Sequence, residues 1–326
     1  MQIDPVVFKI EQELRKKLPA QGRFLLAVSG GADSLALADA CAALRSDDRR
    51  QFFVCHVEHG IRGAESLRDK EIVEAFCQSL QLPFYYRSVA AAEYAEAERL
   101  SLEEAARILR YAALRDVLRE LNGDYLVTAH HRDDQAETVL FRMLRGSGMD
   151  GLSGMRVAEG DLLRPFLELP KSAPEEYCRL KKLPVCCDST NADPTYTRNR
   201  IRGELLPYLE KNFNVNIKDA LVRTAAILQE DGACLAELAE RGFAEAAQLA
   251  DEEIILDVKR MAVLHPALQK RILRSAYFKM GGKELSYERT EALFKMLAAG
   301  RGGKALQLPG GIRAGYADKK LRFIKI

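Results

Sequence analysis

The chain has no C-x-x-C pair. Its seven cysteines are scattered over 326 residues, with one adjacent pair, Cys186-Cys187. That spacing argues against a cysteine-rich zinc site and against a disulfide framework, so a reducing cytoplasm is the expected setting. No stretch approaches the apolar length of a membrane span, and the start, "MQIDPVVFKIEQEL", carries no signal-peptide run, so no membrane association is expected. An excess of one charge is missing too. Lys plus Arg number 49 and Asp plus Glu 47, a net charge of +2, which excludes a bulk polycation but leaves local basic patches open. There is no internal repeat and no low-complexity tract. One more absence carries the argument. "LLAVSGGADSLAL", Leu25 to Leu37, reads as strand, glycine turn and helix start, the usual setting for holding a phosphate. It lacks the lysine that G-x-x-x-x-G-K-[ST] uses to steady a transferring terminal phosphate.

What is present is ordinary globular chemistry, 48% hydrophobic and 29% charged, at a length that suggests two domains. Short apolar runs at residues 23–28, 51–57, 83–89 and 124–129 read as strands. They alternate with helical segments at 34–44, "SLRDKEIVEAFCQSL" and 101–121, the last opening with Ser101 and Glu104 in capping-box spacing. Strands alternating with helices predict an α/β fold with a parallel sheet, whose ligands collect at the carboxyl ends of the strands. After Leu144 come a glycine-rich loop, Arg145–Met155, and a hairpin turning at residues 159–161. From about Asn212 the chain reads as mainly helical, with a long helix near 217–249 and short closing strands near 306–308 and 321–324. The expected division is a first domain at 1–211 and a second, smaller one at 212–326.

Backbone N–H groups at a glycine turn and helix start bind an anion without side-chain charge. Gly30 and Gly31 allow close approach, and Ser29 and Ser34 offer hydroxyls. Asp33 is the odd residue, since a carboxylate repels phosphate: either a metal ion lies between them, or Asp33 faces away and caps the helix. A cradle without lysine suits pyrophosphate as leaving group, with attack at the α-phosphorus. In "TAHHRDDQAET", His130, Asp134 and Glu137 fall on one face of a predicted helix and suit Mg²⁺ binding and proton handling. The plain alternative is a solvated face complementing the dipole. His131 and Asp133 read as supporting residues, and His56 and His59 beside the second strand as structural ones. In "EEAARILRY", Glu103, Arg107 and Arg110 form either an exposed ion-pair ladder or an anion contact. In "DPTYTRNRIRGELLP", Arg198, Arg200 and Arg202 stand at a helix start where the dipole disfavours them, which a phosphate-rich partner would explain.

S-G-G-x-D-S resembles the loop of the ATP pyrophosphatase family. Taken with "HVEHGIRG", "EEAARILRY", "TAHHRDDQAETVLFRMLRGSGMDGLSGM", "LLRPFLEL" and "YTRNRIRGELLP", the chain resembles the bacterial tRNA(Ile)-lysidine synthetase family over roughly residues 24–209. The resemblance implies a Rossmann-like ATP pyrophosphatase domain, then a mainly helical region with a small α+β element that contacts tRNA. It implies that ATP adenylates the C2 oxygen of the first anticodon cytidine of tRNA(Ile)(CAU), and that the ε-amine of L-lysine then displaces AMP. Ser29, Gly30, Gly31, Ala32, Asp33 and Ser34, with His56 in the second motif, would hold ATP. Asp33 and Glu137 would hold Mg²⁺. His130, Asp134 and Arg198 would serve the chemistry, and Arg107, Arg110, Arg200 and Arg202 the tRNA. Position 58, usually Asn or Asp in the family, is Glu58. Longer members continue into a further domain gripping the acceptor stem. A homodimer is compatible with this reading. The rivals are a tRNA thiolation enzyme with the same ATP loop, which usually carries paired cysteines, a small-molecule amidation enzyme, and a non-enzymatic RNA-binding module.

Overall fold

The computed structural model describes residues 4–45, 49–60, 64–186, 197–299 and 303–326. Cys187 and the first residues of "DPTYTRNRIRGELLP" lie outside the described residues. The chain forms two compact units, Met1–Ala226 and Ile227–Ile326. The division falls inside one long helix. The division expected at 211/212 lies just before that helix begins.

In the first unit, α1 (Pro5–Lys17) starts on Asp4, whose carboxylate accepts from Val6 N at 2.9 Å, and ends in Arg15, Lys16 and Lys17, each complementing the dipole. Then follow β1 (Gln21–Ala27), α2 (Ala32–Leu44), β2 (Arg49–Glu58), α3 (Ala64–Ser79), β3 (Phe84–Ser88), α4 (Ala91–Glu98), α5 (Leu102–Glu120), β4 (Tyr125–Val127), α6 (Arg132–Leu144), α7 (Met149–Leu152), β5 (Ala158–Glu159), β6 (Leu162–Leu163) and α8 (Ser172–Lys181). The sheet order is β3-β2-β1-β4-β6-β5, parallel throughout except β5, which returns antiparallel on β6. β1 is central, with β2 on one side and β4 on the other, and that reversal of strand order is where such sheets open a crevice.

Period-two alternation sends neighbouring residues of β1 to opposite faces. Leu26 packs with Ile10, Leu14, Leu35 and Tyr177 from α1, α2 and α8. Leu25 packs with Leu114, Val117 and Leu118 of α5. The four sequence-read strands and the 159–161 hairpin are all present. The glycine-rich loop is more ordered than its composition suggested. It contains α7, and the buried amide of Gln135 clamps Met155 through bonds of 2.7 Å from its N–H and 2.9 Å to its carbonyl. Gly154 sits at φ +67° with a built Cβ only 2.7 Å from that amide, so a larger residue there would be strained and would push the Gln135 amide off Met155.

The first unit closes with α9 (Thr197–Arg200), a wide π-type turn (Ile201–Leu205) and α10 (Leu206–Asn212). The wide turn runs into Pro207, whose ring clashes with the carbonyl four residues back in a regular helix. α11 (Ile217–Ala246) follows.

The second unit differs from its sequence reading. α11 stops three residues early because β7 (Ala247–Ala250) pairs with β8 (Glu253–Asp257). After α12 (Val258–Ala262), α13 (Pro266–Lys279) and α14 (Tyr287–Ala299) come β9 (Lys304–Leu308), β10 (Ile312–Ala317) and β11 (Lys320–Lys325). The two expected closing strands belong to a five-stranded antiparallel sheet, β7-β8-β11-β10-β9. Gly310-Gly311 and Asp318-Lys319, all at positive φ, make the tight β9–β10 and β10–β11 turns. Leu256, Ile312, Ala314, Leu321 and Phe323 face Ile272, Leu273, Ala276 and Tyr277 of α13 and Leu293 of α14.

Candidate functional site

A cleft of about 640 Å³ opens at the carboxyl ends of β1, β2 and β4. The turn after β1 is closed by its own serines: Ser29 N donates to Ser34 Oγ at 3.2 Å, and Ser34 Oγ donates to the Gly31 carbonyl at 3.0 Å. Gly31 is the N-cap of α2 and no side chain caps it, so the positive end of the helix opens on the cleft. Gly30 is required for another reason. It sits at φ +94°, and an added Cβ would lie 2.9 Å from Cys186 Sγ. It turns away from the cleft, while Ser29, Gly31, Ala32, Asp33 and Ser34 line it.

Asp33 is not a cap. Its Oδ1 is buried without a hydrogen-bond partner, and its Oδ2 lies 3.7 Å from His131 Nε2. Burial holds its carboxyl above the ordinary carboxylate value, against the pull of His131 and with Asp134 adding to the rise. His131, read from sequence as supporting, is central here. It is the N-cap of α6: its Nδ1 accepts from Asp134 N at 3.3 Å, and Asp134 Oδ2 accepts from His131 N at 3.0 Å. An accepting Nδ1 leaves the proton of the neutral ring on Nε2, the nitrogen facing Asp33. The H-x-x-D spacing was the available signal. The helix therefore starts after His130, which belongs to the loop from β4 rather than to the helix face expected for it.

Glu137 is buried, and both its oxygens are taken. Arg202 Nε donates to Oε1 at 2.6 Å and Arg202 Nη2 to Oε2 at 2.9 Å, and the same Nη2 reaches Asp134 Oδ1 at 2.9 Å. Burial raises the Glu137 pKa, and Arg202 opposes the rise. Arg202 is therefore bound to the cleft carboxylates, not poised toward an outside partner as its sequence position suggested. Among the described residues no group of three or more His, Cys, Asp or Glu is placed to hold a metal ion. The orphaned Asp33 oxygen fits a cation shared with phosphates. Both oxygens of Glu137, the other residue expected at the metal, are hydrogen-bonded to Arg202.

The opposite wall is basic. Arg107 and Arg110 lie over the Tyr111 ring at 5.2 and 5.4 Å and make no ion pair among the described residues. Burial lowers the Arg107 pKa, with Arg198 and Arg110 contributing as like charges. Glu103 pairs with Arg198 at 3.3 Å rather than with Arg107, so the expected Glu103–Arg107 ion-pair ladder does not form. Arg200 is exposed and outside the cleft lining. His130 Nδ1 lies 2.8 Å from Thr128 Oγ1. Burial pushes its pKa down to about 3, with Arg110, Arg164 and Arg107 adding to that and Asp134 opposing, so the ring is neutral at working pH. His56 is buried, with Nδ1 2.8 Å from the Val28 carbonyl and its ring parallel to Tyr86, and it also lines the cleft. Glu58 accepts from Tyr86 OH at 2.8 Å and Ser88 Oγ at 2.9 Å, which folds its longer side chain back onto β3.

Against known proteins, residues 5–209 match the PP-loop domain and residues 256–317 the TilS substrate binding domain. The tRNA(Ile)-lysidine synthase of Caldanaerobacter subterraneus is 35% identical over 294 residues, covering 90% of this chain and 63% of that protein. That of Clostridium acetobutylicum is 32% identical over 325 residues, covering 98% and 70%. The chain thus spans only part of these relatives' length. Among solved structures, the U34-tRNA thiolase NcsA from Methanococcus maripaludis superposes with a TM-score of 0.58 at 18% identity, over 69% of this chain and 80% of that one, a likeness of fold alone. Through its PP-loop domain, its substrate binding domain and its identity to curated members, the chain belongs to the tRNA(Ile)-lysidine synthase family.

Proposed function

We propose that the chain ligates L-lysine, through its ε-amine, to C2 of the first anticodon cytidine of tRNA(Ile)(CAU), giving lysidine, AMP and pyrophosphate. One juxtaposition carries this reading: an uncapped glycine turn beside the orphaned Asp33 oxygen, with Arg107 and Arg110, which make no ion pair among the described residues, in the same cleft. In the first step the cytidine O2 attacks the α-phosphorus and the bond to pyrophosphate breaks, its electron pair leaving with the pyrophosphate. The turn at Ser29–Ser34 binds the phosphates through backbone N–H groups. Asp33 would hold Mg²⁺, which supplies charge neutralisation on the triphosphate. Arg107 and Arg110 orient anionic substrate groups. In the second step the lysine amine attacks C2, the C2–O bond breaks with its electron pair leaving on AMP, and the attacking nitrogen loses a proton, for which the Asp134 carboxylate is the acceptor at hand. Neutral His130 acts as a hydrogen-bonding group beside it, not as a cation. The setting we propose is the cytoplasm.

A second reading, tRNA thiolation, draws on the Cys186 thiol on the cleft wall beside the turn. Pyrophosphate release is measured with tRNA(Ile)(CAU), with lysine or sulfide, and the product nucleoside is read by mass. Lysine-dependent release with a lysidine product supports the proposal. A sulfide requirement overturns it.

A further inference from the structure

The glycine turn has no lysine of its own, but the fold brings one to its edge. Lys171 lines the cleft with Asp33, Ala32 and Gly31, and it is the one lysine among the lining residues described. Its place is fixed from two directions. Arg132 N donates to the Leu169 carbonyl at 2.9 Å and Lys171 N donates to Asp133 Oδ1 at 3.2 Å, so residues 169–171 are tied to the start of α6. The helix that follows, α8, is tied to α2 by Tyr177 OH donating to Asp39 at 2.8 Å and by the Cys178 thiol on the Ala32 carbonyl at 3.1 Å. The ammonium itself is 3.4 Å from Glu175, a half-exposed carboxylate four residues on. A pairing of that kind is weak and easily exchanged for a more highly charged anion.

The cations of the cleft are therefore divided. Arg107, Arg110 and Arg198 stand on the His130 side, Arg202 is spent on Glu137 and Asp134, and Lys171, which like Arg202 lies close enough to act on Asp33 beside the turn, pairs with the half-exposed Glu175. We propose that Lys171 is a catalytic residue: its ammonium leaves Glu175 and binds the pyrophosphate as the bond to the α-phosphorus breaks. This rests on the adenylation reading given above. The role of Lys171 is to neutralise the charge that gathers on the leaving group. The cation that other phosphate loops carry inside the motif thus arrives from a segment about 140 residues away.

The test uses the full chain and needs no turnover for its first arm. Calorimetry with Mg²⁺-pyrophosphate and, separately, with AMP is run on the parent, Lys171→Ala and Lys171→Arg. Lys171→Ala should weaken pyrophosphate about tenfold and leave AMP unchanged, since one charge-assisted contact is lost. Lys171→Arg should keep most of the affinity. In the second arm, kcat for pyrophosphate release should fall about ten- to a hundredfold in Lys171→Ala with the KM for tRNA unaltered. Equal pyrophosphate affinity in the parent and Lys171→Ala overturns the proposal even where lysidine forms. Lost pyrophosphate affinity in a chain that makes no lysidine sustains the Lys171 contact and removes the ligase reading instead. A merely structural role for Lys171 would lower AMP and pyrophosphate binding together, and that outcome also overturns it.

Discussion

The interiors of the two units are built to different rules. Among the described residues, the first unit buries Arg50, His56, Asp69, Thr128, His131, Gln135, Glu137 and Arg164, while the second buries Thr290 as its one polar side chain in that class. The second has an apolar core in which Leu256, Tyr277 and Phe323 lie between a sheet and two helices. Burying charge costs several kcal/mol per group unless it is paired and bonded. Of the polar residues of the first unit, His56, Asp69, Thr128, His131 and Glu137 line the cleft where the strand order reverses, while Arg50 is held by the Leu18 and Pro19 carbonyls at the start of β2. Buried polarity in this unit is thus concentrated at the cleft, and the second unit keeps its interior apolar.

The sharpest way to break this comparison is Asp33→Asn. It removes the charge of a carboxylate with a buried oxygen that has no hydrogen-bond partner, and turnover should fall by about a thousandfold or more with the melting temperature held. Near-normal rates at millimolar Mg²⁺ would make Asp33 an ordinary surface acid.

Arg202→Met should cost about 3–5 kcal/mol of first-unit stability, because Glu137 is left buried with an uncompensated charge. Denaturant melts measure it. Glu137→Gln separates two roles for that carboxylate. As the partner of Arg202 it costs stability and leaves the Mg²⁺ dependence of the rate in place, whereas as a metal ligand it shifts the Mg²⁺ midpoint upward.

Phe323→Ala is the matched control in the second unit. A fully buried aromatic lost from an apolar core should cost about 3–5 kcal/mol there. Calorimetric ATP affinity of the first unit should not change, and if it does, the two interiors are not independent.

His130→Asn should reduce turnover by about a hundredfold. It should also change the acid limb of stability. A histidine held neutral, with its pKa moved from 6.5 to about 3, contributes stability above pH 6.5 that is lost as pH falls toward 3. The variant should flatten that slope, and the His130 ring signal in the parent should show no titration from pH 5 to 8.

The smallest effect should come from Arg200→Ala. Exposed and outside the cleft lining, Arg200 should alter tRNA affinity slightly and flatten the salt slope of log K by about one unit or less, equally for matched and unmatched tRNAs. Arg107→Ala should weaken turnover more than its salt slope, and equal behaviour of the two would dissolve the distinction between cleft and surface arginines.

Much of this was legible in the sequence because it is local. The β1 turn, the alternation of strands and helices, and Ser101 capping α5 depend on residues within a few positions of each other. The second unit was harder. Its strands β7, β8 and β10 are short and mixed, and β8 pairs with β11, a segment more than 60 residues on. In the site, Arg198 and Arg202 were found by their basic cluster, but their partners were not. Glu103 and Glu137 lie on other helices, and periodicity along one helix says nothing about what faces it.

The sequence by itself determined the turn, the order of the main strands and helices of the first unit, the family and the titratable groups on hand. Those follow from backbone preferences and from spacing, which act over one or two helical turns. Only the tertiary structure decided what each group does. It left Asp33 Oδ1 without a partner, turned His131 toward it and gave Arg202 to Glu137 rather than to open solvent. It set His130 in a buried basic surround that keeps it neutral, and carried Lys171 to the edge of a turn that has no lysine. Charge and proton affinity are fixed by what lies within a few ångströms in space, and most of those neighbours are far apart along the chain.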